Sequence, residues 1–175
     1  SENCVLSIKN KSHSVTAQVV VPAGGAEGVI IAQGANIGGW SLYAKGGKLR
    51  YCYNWGGFKH FITEGAIPIP PGEHQVRMEF AYAGGGMGKG GKVTLFMDGQ
   101  KIGEGEVEAT LSSVFSADDG CDVGEDGGAP VSPDYGPRGN AFNGTVKGVQ
   151  LSIAEDDGKH EIDPADAIRI AMARQ

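Results

Sequence analysis

Val15, Ala17, Val19 and Val21 alternate with Ser14, Thr16 and Gln18, a period of two that predicts a strand with one face on a core. Pro22 and the glycines behind it end that strand. The run from Gly28 to Gln33 is apolar without alternation, which predicts a strand covered on both sides. Two further runs, Trp40 to Lys45 and Lys48 to Asn54, flank Gly46-Gly47, a connection suited to a tight hairpin. The clearest half-buried strand places His74, Val76, Met78, Phe80 and Tyr82 opposite Glu73, Gln75, Arg77 and Glu79, entered through Pro70-Pro71-Gly72. Val93, Leu95 and Met97 continue the core, Asp98-Gly99 predicts a type I′ turn into Gln100 to Val107, and Thr145 to Ile153 turns Val149, Leu151 and Ile153 inward.

Two segments break this alternation. From Ser112 to Gly144 the chain is rich in Gly, Asp and Pro, and a stretch this long in a compact domain is expected to be functional or disordered. Near the end, Asp163 as N-cap, Pro164 behind it, and the apolar stripe Ile168, Ala171 and Met172 predict a short helix over 163–174. Eleven or so residues are marginal as a free helix, so it is expected to dock. The 175 residues fit one sandwich domain, and 30 glycines, about two and a half times ordinary usage, fit many turns between short strands. The expected fold is an all-β antiparallel jelly-roll sandwich with a short C-terminal helix.

Charge narrows the partners. A net charge of −6 without a basic stripe argues against nucleic acid. No run approaches the roughly 20 apolar residues that span a bilayer, so a soluble chain is expected, with cytoplasm and periplasm both open. Cys4, Cys52 and Cys121 cannot all pair within the chain and have no metal-binding spacing, so buried free thiols are expected.

The blocks GVIIAQGANIGGWSLY, GKLRYCYNWGG, FAYAGGGMGKGGKVTLFMDGQ and DVGEDGGAPVSPDY, with the ending AIRIAMARQ, resemble the C-terminal region of bacterial arylsulfatase-type enzymes from about Ser12 to Gln175. The resemblance implies a concanavalin A-like or laminin G-like jelly roll. It also implies a noncatalytic accessory module whose partner is a sulfatase catalytic domain, in cis or in trans, with self-association of the isolated module through the apolar patch left uncovered. That family makes its nucleophile from Cys or Ser in C/S-x-P-x-R, and none of the three cysteines and no serine here offers that pattern. No sulfatase activity is expected from this chain alone.

Four other chemistries can be weighed on residues. Glu104, Glu106 and Glu108 in EGEVE resemble the acidic strand of some concanavalin A-like glycosidases, yet i and i+4 on a strand lie about 13 Å apart, against roughly 5 Å between retaining carboxylates. Gly86-Met-Gly-Lys-Gly-Gly91 matches G-x-G-x-x-G, but a strand rather than a helix follows it. In the acidic stretch, Asp122, Glu125, Asp126 and Asp134 are candidate calcium ligands, since hard oxygen donors on a glycine-rich segment can converge; solvated acids without metal are the alternative. Lastly, Trp40, Tyr43, Tyr51, Tyr53, Trp55 and Phe58 concentrate around one hairpin. Core packing accounts for alternate positions, while Trp40, Tyr53, Asn54, Trp55 and His60 are candidates for an open, carbohydrate-binding face. The alternative to an accessory role is therefore an autonomous lectin-like module, with a glycosidase third.

Overall fold

The computed structural model describes residues 8–111, 115 and 120–153, and the backbone of Ile168–Ile170. The strands are β1 (His13–Val21), β2 (Gly28–Ala35), β3 (Gly38–Lys45), β4 (Lys48–Trp55), β5 (Lys59–Pro68), β6 (Gly72–Tyr82), β7 (Gly91–Met97), β8 (Gln100–Val107), β9 (Cys121–Val123), β10 (Thr145–Ile153) and β11 (Ile168–Ile170). One sheet runs β11-β10-β1-β6-β7-β8 and the other β5-β4-β3-β2-β9, with every strand pair antiparallel. They stack as a sandwich, the expected all-β jelly roll.

The core follows the period-two positions. Val15, Ala17, Val19, Val76, Met78, Phe80, Val93, Leu95, Val149 and Leu151 come from the six-stranded sheet and meet Trp40, Leu42, Ala44, Leu49, Tyr51 and Tyr53 of the five-stranded one. Turns match as well. Gly46 and Gly47 hold φ of 58° and 80°, and Asp98 and Gly99 hold 50° and 80°, the doubly positive pair a type I′ hairpin demands.

At one side the two sheets close on each other through β5 and β8. A Cβ at Gly103 would sit 2.6 Å from the Glu64 carbonyl oxygen, and one at Gly105 would sit 2.2 Å from Thr63 Oγ1. Only glycine allows the backbones this near. The intervening Glu104 and Glu106 point to solvent, so the EGEVE triplet is the outer face of an edge strand.

The chain end departs from expectation. Ile168–Ile170 is not helical but forms β11, antiparallel to β10 with Leu151 opposite Ile168 and Val149 opposite Ile170. A helix of eleven residues has little stability of its own, whereas the open edge of β10 offers ready backbone partners. The rest of 163–174 lies outside the described residues, and no helix occurs among those that are described. β5 and β9 are strands that the periodicity did not announce.

His13 opens β1 and is buried, with Nδ1 donating to the Lys11 carbonyl at 2.9 Å and Nε2 without a partner among the described residues. Its ring lies 5.2 Å from that of Phe80. Burial lowers its pKa from the usual 6.5 to about 4. The unfolded chain therefore takes up a proton between these values that the folded chain refuses. Stability is full above pH 6.5 and falls on acidification to about pH 4, by about 1.4 kcal/mol per unit or roughly 3 kcal/mol in all. Urea unfolding of the wild type and His13→Phe at pH 7.5 and pH 4.5 should show this drop in the wild type and its reduction in the variant.

Candidate functional site

The described part of the acidic stretch is not an open loop: it covers the outer face of the five-stranded sheet. β2 explains the need for a cover. A bulge between Val29 and Ile31 turns Ile30 and Ile31 both into the main core, while Val29 and Ala32 face outward. Those two join Tyr43, Cys52 and Val131, with Tyr135 packed on top, in a second apolar cluster. The unalternating run from Gly28 to Gln33 is thus covered on both sides, as its composition predicts.

Carboxylates hold this cover down. Asp126 is buried, and its Oδ2 accepts from the Val131 amide at 3.0 Å and from the Tyr135 hydroxyl at 2.8 Å. Asn140 clasps the same residue, accepting from the Asp126 amide and donating to its carbonyl, both at 2.9 Å. Asp134 Oδ2 accepts from the Tyr43 hydroxyl at 2.6 Å and the Arg50 guanidinium at 2.7 Å, and Lys45 reaches the Asp134 carbonyl. Burial pushes the Asp126 carboxyl up against the opposing pull of its donors. For Asp134, burial acts in the same direction, but the bonds from Tyr43 and Arg50 outweigh it and hold the group below the ordinary aspartate value.

The four proposed calcium ligands are accordingly dispersed in role. Asp126 and Asp134 are engaged by separate protein donors, Asp122 accepts from the Gly127 amide at 3.1 Å, and Glu125 is exposed to solvent. Among the described residues, no three acidic, histidine or cysteine side chains converge as a metal site. Asp118 and Asp119, from the same stretch, lie outside the described residues.

The candidate ligand face divides as sharply. Trp40 is fully buried, donating Nε1–H to Gln33 Oε1 at 2.9 Å, and Tyr53 is buried with its hydroxyl accepting from the Leu111 amide at 2.8 Å. Both stand on the inward parity of their strands, so neither lines an open face. Asn54 has the outward parity but is buried under the cover. Its amide donates to the carbonyls of Ala35 (3.2 Å), Asn36 (3.0 Å) and Val131 (3.1 Å), and its Oδ1 accepts from Gly57 N at 2.8 Å. One side chain thereby ties two hairpin tips to the cover.

Beyond Asn54 the surface turns apolar. Trp55 is 38% exposed and Phe58 88%, their ring centroids 6.5 Å apart with planes at 59°. Ile37, 60% exposed, occupies the adjacent β2–β3 tip: a Cβ on Gly57 would stand 2.9 Å from the Asn36 carbonyl oxygen and 3.7 Å from the Ile37 Cα. Lys59 closes the tip, bonded to Glu108 at 2.5 Å with its ammonium 4.8 Å from the Phe61 ring centre. His60 is half-buried on β5, directly across from Asn54 in the ladder. Of the five face residues named from sequence, Trp55 and His60 reach solvent, Asn54 positions, and Trp40 and Tyr53 are core. Ile37 and Phe58 complete the exposed cluster; the signal for them was an apolar residue inside a glycine or asparagine turn, where core packing has no use for one.

This architecture recurs among solved structures. The mouse laminin α1 chain LG4-5 fragment matches with a TM-score of 0.61 and 15% identity over 97% of this chain and 42% of that one. A Ruminococcus gnavus IT-sialidase CBM40 bound to α2,3-sialyllactose matches at 0.56 and 14%, over 84% of this chain and 79% of that one. The heptameric SAP-like pentraxin of Limulus polyphemus matches at 0.51 and 15%, over 81% of this chain and 63% of that one. The fold is the laminin G-like jelly roll. This chain spans less than two thirds of the pentraxin and of the laminin fragment. No protein-family model and no curated protein matches the sequence. The arylsulfatase side of the resemblance is carried by sequence motifs alone.

Removing the Asp126 carboxylate strands the Val131 amide and leaves the Tyr135 hydroxyl with Ser41 Oγ, at 2.9 Å, as its remaining partner, so Asp126→Ala should cost about 1–3 kcal/mol. Cys52 reports the opening. It is fully buried beneath the cover, and burial pushes its thiol up to about 12, so it is inert while the cover is seated. In a Cys4→Ser/Cys121→Ser background, Asp126→Ala should accelerate the labelling of Cys52 by a disulfide reagent at pH 8, and Tyr135→Phe should do so to a smaller extent.

Proposed function

We propose that this chain is a noncatalytic, glycan-binding lectin-like module that engages sugar at the Ile37–Trp55–Phe58 tip. The observation that carries the reading is an aromatic pair left in solvent on a tip that a buried asparagine holds in place. A pyranose presents a face of C–H groups that packs on an aromatic ring while its hydroxyls remain hydrated, and binding sites of this kind combine such rings with a few polar anchors. The CBM40 in complex with sialyllactose lends the fold a glycan-binding precedent.

Catalysis fits the acidic residues poorly. Glu104 is paired with Lys101 and, at 2.9 Å, with Lys92, and these lysines hold its carboxyl down to about 2. A glycosidase acid needs its carboxyl raised instead. A structural need for calcium is equally unsupported by the donor set around Asp126 and Asp134, and melting temperatures in chelator and in millimolar calcium should coincide. A calcium-dependent rise would assign the acidic stretch a metal after all.

The second reading is an accessory role beside a sulfatase catalytic domain, supported by the sequence blocks and by the same apolar tip, which would serve as protein contact. A glycan array followed by calorimetry separates the two. The lectin reading expects a monomer in sedimentation that binds an oligosaccharide with millimolar or tighter affinity, weakened by Trp55→Ala. Self-association that Trp55→Ala abolishes, together with a silent array, would favour the accessory role.

A further inference from the structure

The tip's shape and charge narrow the glycan that the lectin reading requires, and the following rests on that reading. Two rings canted at 59° cannot both lie against one flat surface. An array of parallel chains, as on a crystalline polysaccharide, would meet one ring and lift off the other. A single chain can satisfy both, because successive sugar rings rotate about their glycosidic bonds and present differently tilted faces. The 6.5 Å between ring centres puts neighbouring sugars, rather than one sugar, on the two rings.

Charge points the same way. Lys59 is the cation next to Phe58 in sequence and opposite Trp55 in the β4–β5 ladder, and its ammonium is neutralised by Glu108 at 2.5 Å. A carboxylate or sulfate placed on Trp55 or Phe58 would face that closed ion pair and would have to displace Glu108 to be held. Phe58 N donates to the Trp55 carbonyl at 3.1 Å and Gly57 N to Asn54 Oδ1 at 2.8 Å, so the backbone that carries the two rings is fixed from beneath.

We infer that the Trp55–Phe58 tip binds a single, solvated chain of neutral sugars, with one pyranose on Trp55 and the next on Phe58.

Calorimetry with glucose, maltose, maltohexaose, cellohexaose, laminarihexaose and hexagalacturonate, with sedimentation onto microcrystalline cellulose alongside, tests it. At least one neutral hexasaccharide should bind, with its disaccharide or longer fragment far tighter than the monosaccharide. Trp55→Ala and Phe58→Ala should each weaken it about tenfold, the scale of one lost aromatic contact. Trp55→Tyr should restore most of the loss. Both side chains are surface residues, and unchanged circular dichroism verifies the folds. Binding of a neutral hexasaccharide that both alanine variants leave intact overturns the inference while the lectin reading survives at another face. Preference for hexagalacturonate or for microcrystalline cellulose overturns it likewise. Silence across this panel overturns the inference, and the lectin reading falls with it when the glycan array is silent too.

Discussion

A sheet that carries large side chains on both faces has to be covered twice, and the arrangement of this molecule depends on how the second cover is held. The first face meets the other sheet in an ordinary apolar core. Tyr43, Cys52, Val29 and Ala32 on the second face are met by a return segment whose composition, rich in Asp, Gly and Pro, has little apolar area to offer. Among the described residues, Val131 is its only fully apolar contribution to that cluster. Attachment rests instead on desolvated carboxylates, each given enough donors to offset removal from water. Asp126 receives an amide and a phenol, and Asp134 a phenol and a guanidinium. A buried, fully partnered carboxylate is directional in a way that apolar contact is not, so the cover sits in one register.

That mode of attachment explains what could be read from residues and what could not. The alternation at Val15 to Val21 and at His74 to Tyr82, and the glycine and Asp-Gly turns, correspond to strands and hairpins because each is a local consequence of period and φ. The doubly covered β2 was equally legible, since an unalternating apolar run excludes solvent on either side. The partner that covers it was not. Asp126 and Asp134 look identical in sequence to solvated acids or metal ligands, and only long-range pairing with Tyr43, Arg50 and Tyr135 assigns them. β5 escaped because its inward positions include Gly65 while Ile62 faces out, which erases the hydrophobic signature of the strand. At the chain end, a helical stripe in Ile168, Ala171 and Met172 competed with an open strand edge, and at Ile168–Ile170 the edge prevailed.

Asn54 shows why a site can be found near a residue without that residue forming it. Its position beside aromatic neighbours in the hairpin is that of a face residue, and the structure makes it the joint between the β2–β3 tip, the β4–β5 tip and the cover. Through it, the anchoring of the cover by carboxylates and the posture of the exposed rings are mechanically linked. Val131 is bonded on one side of the amide and Gly57 on the other.

The order of strands has a further consequence for life in a crowded solution. Unpaired strand edges invite other chains to add to a sheet. Here the outermost strands on one side, β9 and β11, are three residues each, too short to template much pairing. The long outermost strands, β5 and β8, fall on the same side as each other and are pressed together through Gly103 and Gly105. Replacing either glycine would therefore do more than strain a backbone: by prying β5 from β8 it would bare two long edges at once and turn a self-limited sandwich into a seed for fibrils.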